Sequence, residues 1–256
     1  MRILWTVLCI LTLQPLLAAG QAGVAQSGDN LTAQEIASRL AENNHKRHDD
    51  LRGYTGEREY HLLYTGFPGR HEADLVVQVT YQSPDQKQFT TISQSGSSVI
   101  VNRVFKKLLE TETETADAES QARTAVSPEN YSFELLGQEQ LNGRPSYILK
   151  VEPKTQNRLL YRGKIWVDAT DFAVAKIEAE PAKKPSIWIS NTMVHHSYRK
   201  IGEFWLPEQN ESTTEVRLGG HAVLSIKYRD YKLAPEVKTA GSATTVTATV
   251  GQHGAQ

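Results

Sequence analysis

From Tyr54 to Leu233 the chain is dominated by alternation of apolar and polar positions, the period of a strand with one buried face. The cleanest run is His71–Gln82, where Ala73, Leu75, Val77, Val79 and Tyr81 fall on one side. A similar run over Tyr54–Gly66 precedes it across the turn F-P-G-R, and S-P-D-Q separates it from K-Q-F-T-T-I-S-Q-S-G. Ser97–Val101 adds a candidate short strand. Further on, Asn142-Gly143 sits between two alternating runs, the strongest short hairpin signal. Residues 158–180 read as a second hairpin, and residues 185–233 supply three more strands with turns at Ile201-Gly202 and Gly219-Gly220.

Two segments carry the helical period instead. In the first, Thr32 and Glu35 have capping-box spacing, and Ala33, Ile36, Ala37 and Leu40 form one narrow apolar face. In the second, over roughly residues 101–122, Val104 and Leu108 share a face with Phe105 and Leu109 nearby, before the chain turns acidic. Roughly ten strands joined by short loops predict an antiparallel sheet, and strand twist curls a sheet that long. The fold class is mainly β (α+β), with one helix before the sheet and one after its first three or four strands. Residues 236–256 lack a pattern and read as a disordered tail.

The hairpin Gly163–Pro181 carries most of the apolar signal. Ile165 and Val167 share one strand face, and Ala173, Ala175, Ile177 and Ala179 share a face of the next strand, opposite Phe172 and Val174. Small residues beside bulky ones leave room on that face. Either the helices fill it or an apolar ligand does. Ile165, Val167, Ala173, Ala175 and Ile177, with Trp188 and Trp205, are the candidate cavity lining.

The N-terminus changes the compartment. Arg2, an apolar stretch from Ile3 to Leu17 and then small residues have the order of a secretory signal peptide, assigned here to residues 1–25. The sole cysteine, Cys9, lies inside the apolar stretch after Leu8, which is not a lipoprotein signal. Cleavage removes it, leaving no disulfide or thiol chemistry to the mature chain. The charges, 28 basic against 29 acidic, offer nothing to nucleic acid.

Candidate chemistry is sparse. His45 and His48 stand three apart beside Asp49, but that cluster reads as a solvated helix end, and no metal or other cofactor is expected. His195 and His196 are neighbours on a strand and point to opposite faces. No G-x-S-x-G elbow and no phosphate-binding glycine loop occurs, so no catalytic residue is assigned.

Trp166-Val167-Asp168 in the hairpin, Trp205-Leu206-Pro207 at a later strand start, and V-N-R-V-F-K-K-L-L-E-T-E resemble the LolA-like superfamily of periplasmic lipoprotein carriers. The resemblance covers about residues 30–233. It implies a half-open antiparallel β-barrel whose concave apolar face is covered by helices. Independently, the narrow apolar face of the first helix fits a lid that opens to release cargo, and equally an ordinary surface helix. The resemblance also implies a periplasmic carrier that takes a lipid or lipoprotein acyl chains towards the outer membrane without catalysis. Its partners would be an inner-membrane release complex and an outer-membrane acceptor, with transient membrane contact. The alternatives are an envelope sensor of the same fold acting through a protein partner, and a metal-assisted enzyme.

Overall fold

The computed structural model describes residues 31–114, 118–157, 159–183, 189–217 and 219–235. The expected signal peptide, the expected tail and Trp188 lie outside the described residues. A meander of β1 (Gly53–Thr65), β2 (His71–Gln82) and β3 (Gln86–Gly96) comes first. A helical stretch follows, and then a second meander: β4 (Tyr131–Leu141), β5 (Arg144–Pro153), β6 (Tyr161–Asp168), β7 (Val174–Pro181), β8 (Ile189–Ile201), β9 (Phe204–Val216) and β10 (Gly220–Leu233). Because β10 returns to pair with β1, the ten strands form one antiparallel sheet in the order β3-β2-β1-β10-β9-β8-β7-β6-β5-β4. The sheet is not closed. Its edges are β3 and β4, and the helical stretch is the chain that runs between them.

Local chemistry sets the corners. Asn142 and Gly143 both adopt positive φ, at 52° and 78°, as a two-residue I′-type hairpin requires. Gly163 has φ of 153°, and a Cβ there would collide with the Glu178 carbonyl and Ala179, so only glycine lets β6 and β7 approach.

Residues paired directly across antiparallel strands project to the same face. One such row crosses eight strands: Leu75, Tyr60, Ile226, Asn210, His196, Ile177, Ile165 and Leu149. Both flanks of the row are apolar and its middle is polar. The helices divide the same way. Helix α1 (Ala33–Asp50) buries Ile36, Ala37 and Leu40, with Ile36 and Leu40 packed against Leu149, Val151, Ile165, Val167 and Ile177 on β5–β7. A π-helical segment, Ile100–Phe105, buries Ile100 and Phe105 against Tyr60, Val77, Val79 and Ile226 on β1, β2 and β10. Each large apolar side chain so buried contributes about 1.5–3 kcal/mol. The helices cover the two flanks and leave the middle strands β8 and β9 without a core of their own.

The second helix departs from the single element expected over 101–122. It is the π-helical segment, then α2 (Lys106–Glu114) and α3 (Ala118–Thr124). Ser97–Val101 is not a strand, because Ser98 and Val99 already belong to this helical run. Helix α2 buries no residue, so its face to the sheet stays open.

The lid expected in α1 is instead a clamped element. The capping box forms, with the Glu35 backbone N–H donating to Thr32 Oγ1 at 3.2 Å and the Thr32 N–H donating to Glu35 Oε2 at 2.8 Å. At the other end Arg47 donates to the Asp171 and Phe172 carbonyls at 2.8 and 2.7 Å, and Asn43 donates to the Asp171 carbonyl at 3.2 Å. The turn it grips is itself held by Asp168, which is fully buried and accepts from Arg144 and from the Thr170 and Asp171 backbone N–H groups. Burial alone would raise the Asp168 pKa, but these donors outweigh it and hold the carboxyl below its ordinary range. Trp205 Nε1 donates to Asp171 at 3.0 Å, and Arg144 lies over the Trp205 ring at 5.6 Å. The two tryptophan-bearing segments noted in the sequence therefore meet around one turn.

Candidate functional site: a trough under the second helix

Between the packed flanks the inner face leaves a trough. Its floor is laid by alternate residues of β1, β10 and β9: Tyr60 and Leu62, Ile226 and Leu224, Asn210 and Ser212, which are opposed across the ladders. Its roof is the helical run from Ser97 to Glu112. Two cavities open along it, of about 660 and 670 Å³, and Val104 in the roof lines both. The first is apolar, walled by Leu62, Tyr64, Val99, Ile100, Val216 and Leu224, with Phe67 standing 86% exposed in its wall. The second is mixed, walled by Tyr228, Tyr198, His196, Asn210, Arg103 and Lys107.

One ion-pair network ties roof to floor. Arg58 on β1 is only 4% exposed and donates to Glu112 of α2 at 2.6 Å, while Lys87 on β3 donates to the other oxygen of Glu112 at 2.7 Å. The Arg58 guanidinium also lies over the Phe89 and Tyr228 rings, at 5.3 and 4.8 Å. Burial by itself would raise the Glu112 pKa, but the two cations bring it down to about 2. Burial also raises the Arg58 cost, yet Glu112 holds that guanidinium firmly charged.

Elsewhere in the trough, burial, with His195 adding, pushes the His196 imidazole down to about 4, so it is neutral at pH 7. Burial pushes the Tyr198 and Tyr228 hydroxyls up, so both are neutral as well. His196 meets the Tyr161 ring edge-on at 6.1 Å. His195 points away towards Glu178, as strand alternation requires.

A smaller cavity of about 300 Å³ lies between the end of α1 and the sheet, and Tyr161 and Tyr198 line both it and the mixed cavity. Here the candidate lining divides. Ile177 and Trp205 line this smaller cavity. Ile165 and Val167 pack with Ile177 in the filled core beneath α1. Ala173 and Ala175 are buried at the turn and at a bulge, and Trp188 lies outside the described residues. The bulge corrects the alternation. A register shift between Trp166 and Val167 sets Val174 opposite Val167, so Phe172 and Val174 join the α1 side and Ala175 does not. A bulge inserts one residue and reverses the faces beyond it, which a pattern of period two cannot foresee.

The trough residues themselves were not singled out from the sequence. The alternation of Tyr60, Leu62 and Tyr64, and of Ala222, Leu224 and Ile226, was the available signal, but only the pairing of β1 with β10 brings the two sets together. His45 makes an exposed pair with Asp49 at 3.4 Å, and among the described residues no group of three His, Cys, Asp or Glu is placed to hold a metal ion. No helix among the described residues is long and apolar enough to cross a membrane.

Comparison with known proteins gives a family and several likenesses of fold. No curated protein matches the chain. Among solved structures, it is similar to a DUF1329 family protein from Desulfovibrio piger, at 16% identity over 79% of this chain and 94% of that one, with a TM-score of 0.38. It is also similar to a domain described as an outer membrane lipoprotein-sorting protein from Vibrio parahaemolyticus, at 12% identity over 78% and 94%, TM-score 0.39. A LolA superfamily protein from Nitrosomonas europaea matches at 14% identity over 80% and 95%, TM-score 0.30. The model of a protein family described as "Uncharacterized protein" matches residues 81–237, and the chain belongs to that family.

Proposed function

We propose that this family member is an exported binding protein that takes a lipid, or the acyl chains of a lipoprotein, into the trough beneath the helical run from Ser97 to Glu112 and carries it through the periplasm towards the outer membrane. The carrying observation is the trough itself: an apolar cavity of about 660 Å³ roofed by the π-helical segment, continuing past Val104 into a mixed cavity roofed by α2, a helix that buries none of its own residues. An exposed CH₂ costs about 0.8 kcal/mol relative to an apolar site, so even a short acyl chain gains several kcal/mol by entering. Release needs the roof to lift. The roof is held by few packed side chains, chiefly Ile100 and Phe105, and by the Glu112 ion pairs, whereas α1 is packed and clamped. The order of residues at the N-terminus supports export, and the tryptophan-bearing segments support the carrier resemblance. Burial and release suffice for this activity, with no bond made or broken.

The test is native mass spectrometry of the protein purified from the periplasm, followed by solvent extraction. A discrete co-purifying lipid or acylated peptide is the expected result. A bare mass that also refuses added lipids would end the carrier reading.

A second reading, a sensor acting through a protein partner, draws on a different observation. Strand β4 is a sheet edge, and Leu135 and Leu136 stand exposed on it, an apolar patch on a strand free to pair. Recovery of a membrane-bound regulator without any lipid would favour it.

A further inference from the structure

The trough has a direction. Its two cavities succeed one another along the same three strands, and their chemistry changes from one to the next. Stepping two residues along β10 from Leu224 to Ile226 and on to Tyr228, or along β9 from Ser212 to Asn210, leads from the apolar cavity into the mixed one. At the apolar end the roof contributes Val99, Ile100 and Val104. One turn further on, the same roof contributes Arg103 and Lys107, four residues apart and therefore on one helical face.

The charges at this end are unbalanced. Glu112 is the one carboxylate among the described residues lining the mixed cavity, and it is already taken by Arg58 and Lys87. Lys107 has only loose, exposed contacts with Glu110 at 3.6 Å and Glu114 at 4.0 Å, the kind of pair that contributes little. Arg103 has no carboxylate partner among the described residues. Two exposed cations thus stand at the mouth of a cavity whose remaining polar lining is neutral: His196, Asn210, Gln209, Tyr198 and Tyr228.

We propose that the trough takes an anionic amphiphile, its single chain lying in the apolar cavity beneath Val104 and its anionic head group between Arg103, Lys107 and the neutral donors of β8 and β9. This rests on the binding reading above and adds the chemistry and the direction of the ligand. A neutral alcohol would fill the apolar end equally well but would leave the two cations unanswered. A cationic amphiphile would meet repulsion from Arg103 and Lys107 at the mixed end. The shared chemistry is an anionic head, carboxylate or phosphate.

Isothermal titration of the full mature chain with four probes tests this: dodecanoate, lysophosphatidylglycerol, dodecanol and dodecyltrimethylammonium. The two anions are expected to bind about tenfold or more tighter than dodecanol, with the cation weakest, a preference of about 1.4 kcal/mol or more. Raising the salt concentration should shrink the preference, because both cations are exposed. The double variant R103Q/K107Q, altered only at exposed positions, should lose that preference while keeping its affinity for dodecanol. Comparing dodecanoate with lysophosphatidylglycerol tells a free acid from a phosphate head. Equal binding of alcohol and anions would overturn the head-group assignment and leave the binding reading standing. Failure of all four probes to bind would remove both.

Discussion

Glu112 Oε2 lies 2.6 Å from the guanidinium of Arg58, which joins the helical roof of the trough to strand β1 of its floor. Arg58 is nearly inaccessible to water and is flanked by two aromatic rings, so this is a desolvated cation whose carboxylate comes from another element. In the proposed release, lifting the roof would separate the pair. The balance between losing this pair and hydrating Arg58 would then set how readily the trough opens.

Replacing Glu112 by Gln should therefore loosen the roof. Leaving a buried cation without its partner costs about 3–5 kcal/mol in deeply buried pairs, and Glu112 is partly exposed, so the loss expected here is nearer the lower figure. Hydrogen exchange should rise over residues 100–114 while α1 and β5–β7 stay protected. Uniform loss of protection across both halves would show that the pair supports the whole fold and not the roof alone.

The same residue predicts an acid response. Glu112 has a folded pKa of about 2 against an ordinary 4.5, so its contribution is complete above about pH 4.5 and disappears as pH falls through 2. His196 acts in a higher window. Its folded pKa of about 4 lies below the ordinary 6.5, so on acidification the unfolded chain takes up the proton first and stability falls between about 6.5 and 4. Denaturant titrations against pH should show both slopes. His196→Gln should flatten the upper one and Glu112→Gln the lower one.

Asp168 predicts a structural loss with a functional control. It is fully buried and accepts four hydrogen bonds, two from Arg144 and two from backbone N–H groups of the turn that α1 grips. Asp168→Ala should cost about 3 kcal/mol, measured by urea denaturation, because it strands those donors in a buried turn. Ligand affinity of the fraction that remains folded should change little, since the turn does not border the apolar cavity.

Val104 offers a direct block. It lines both cavities and is only partly buried, so Val104→Trp should occupy empty space without straining a packed core. Binding of dodecanoate is expected to weaken about tenfold or more, equivalent to about 1.4 kcal/mol, with the melting temperature unchanged or raised. Unaltered affinity would mean that the chain lies elsewhere.

Much of this protein was legible before folding. Period-two alternation, Asn142-Gly143 and the Thr32/Glu35 capping box are local signals, and each specified its own element: the strands, the hairpin and the start of α1. Such elements follow from backbone sterics and from which face water leaves, and neither depends on distant residues. The inner face was harder to read. The bulge at Trp166–Val167 reversed part of it, and Ile36 and Leu40 pack over Ile165, Val167 and Ile177. The trough arises from contacts far apart in sequence: β1 with β10, β10 with β9, and Arg58 with Glu112. The sequence by itself determined most of the strands, their approximate number and the polarity of the faces that no bulge interrupts. Only the tertiary structure decided which helix packs shut and which leaves a gap, because that choice rests on the volumes of side chains that meet across the sheet and not on any pattern within one strand.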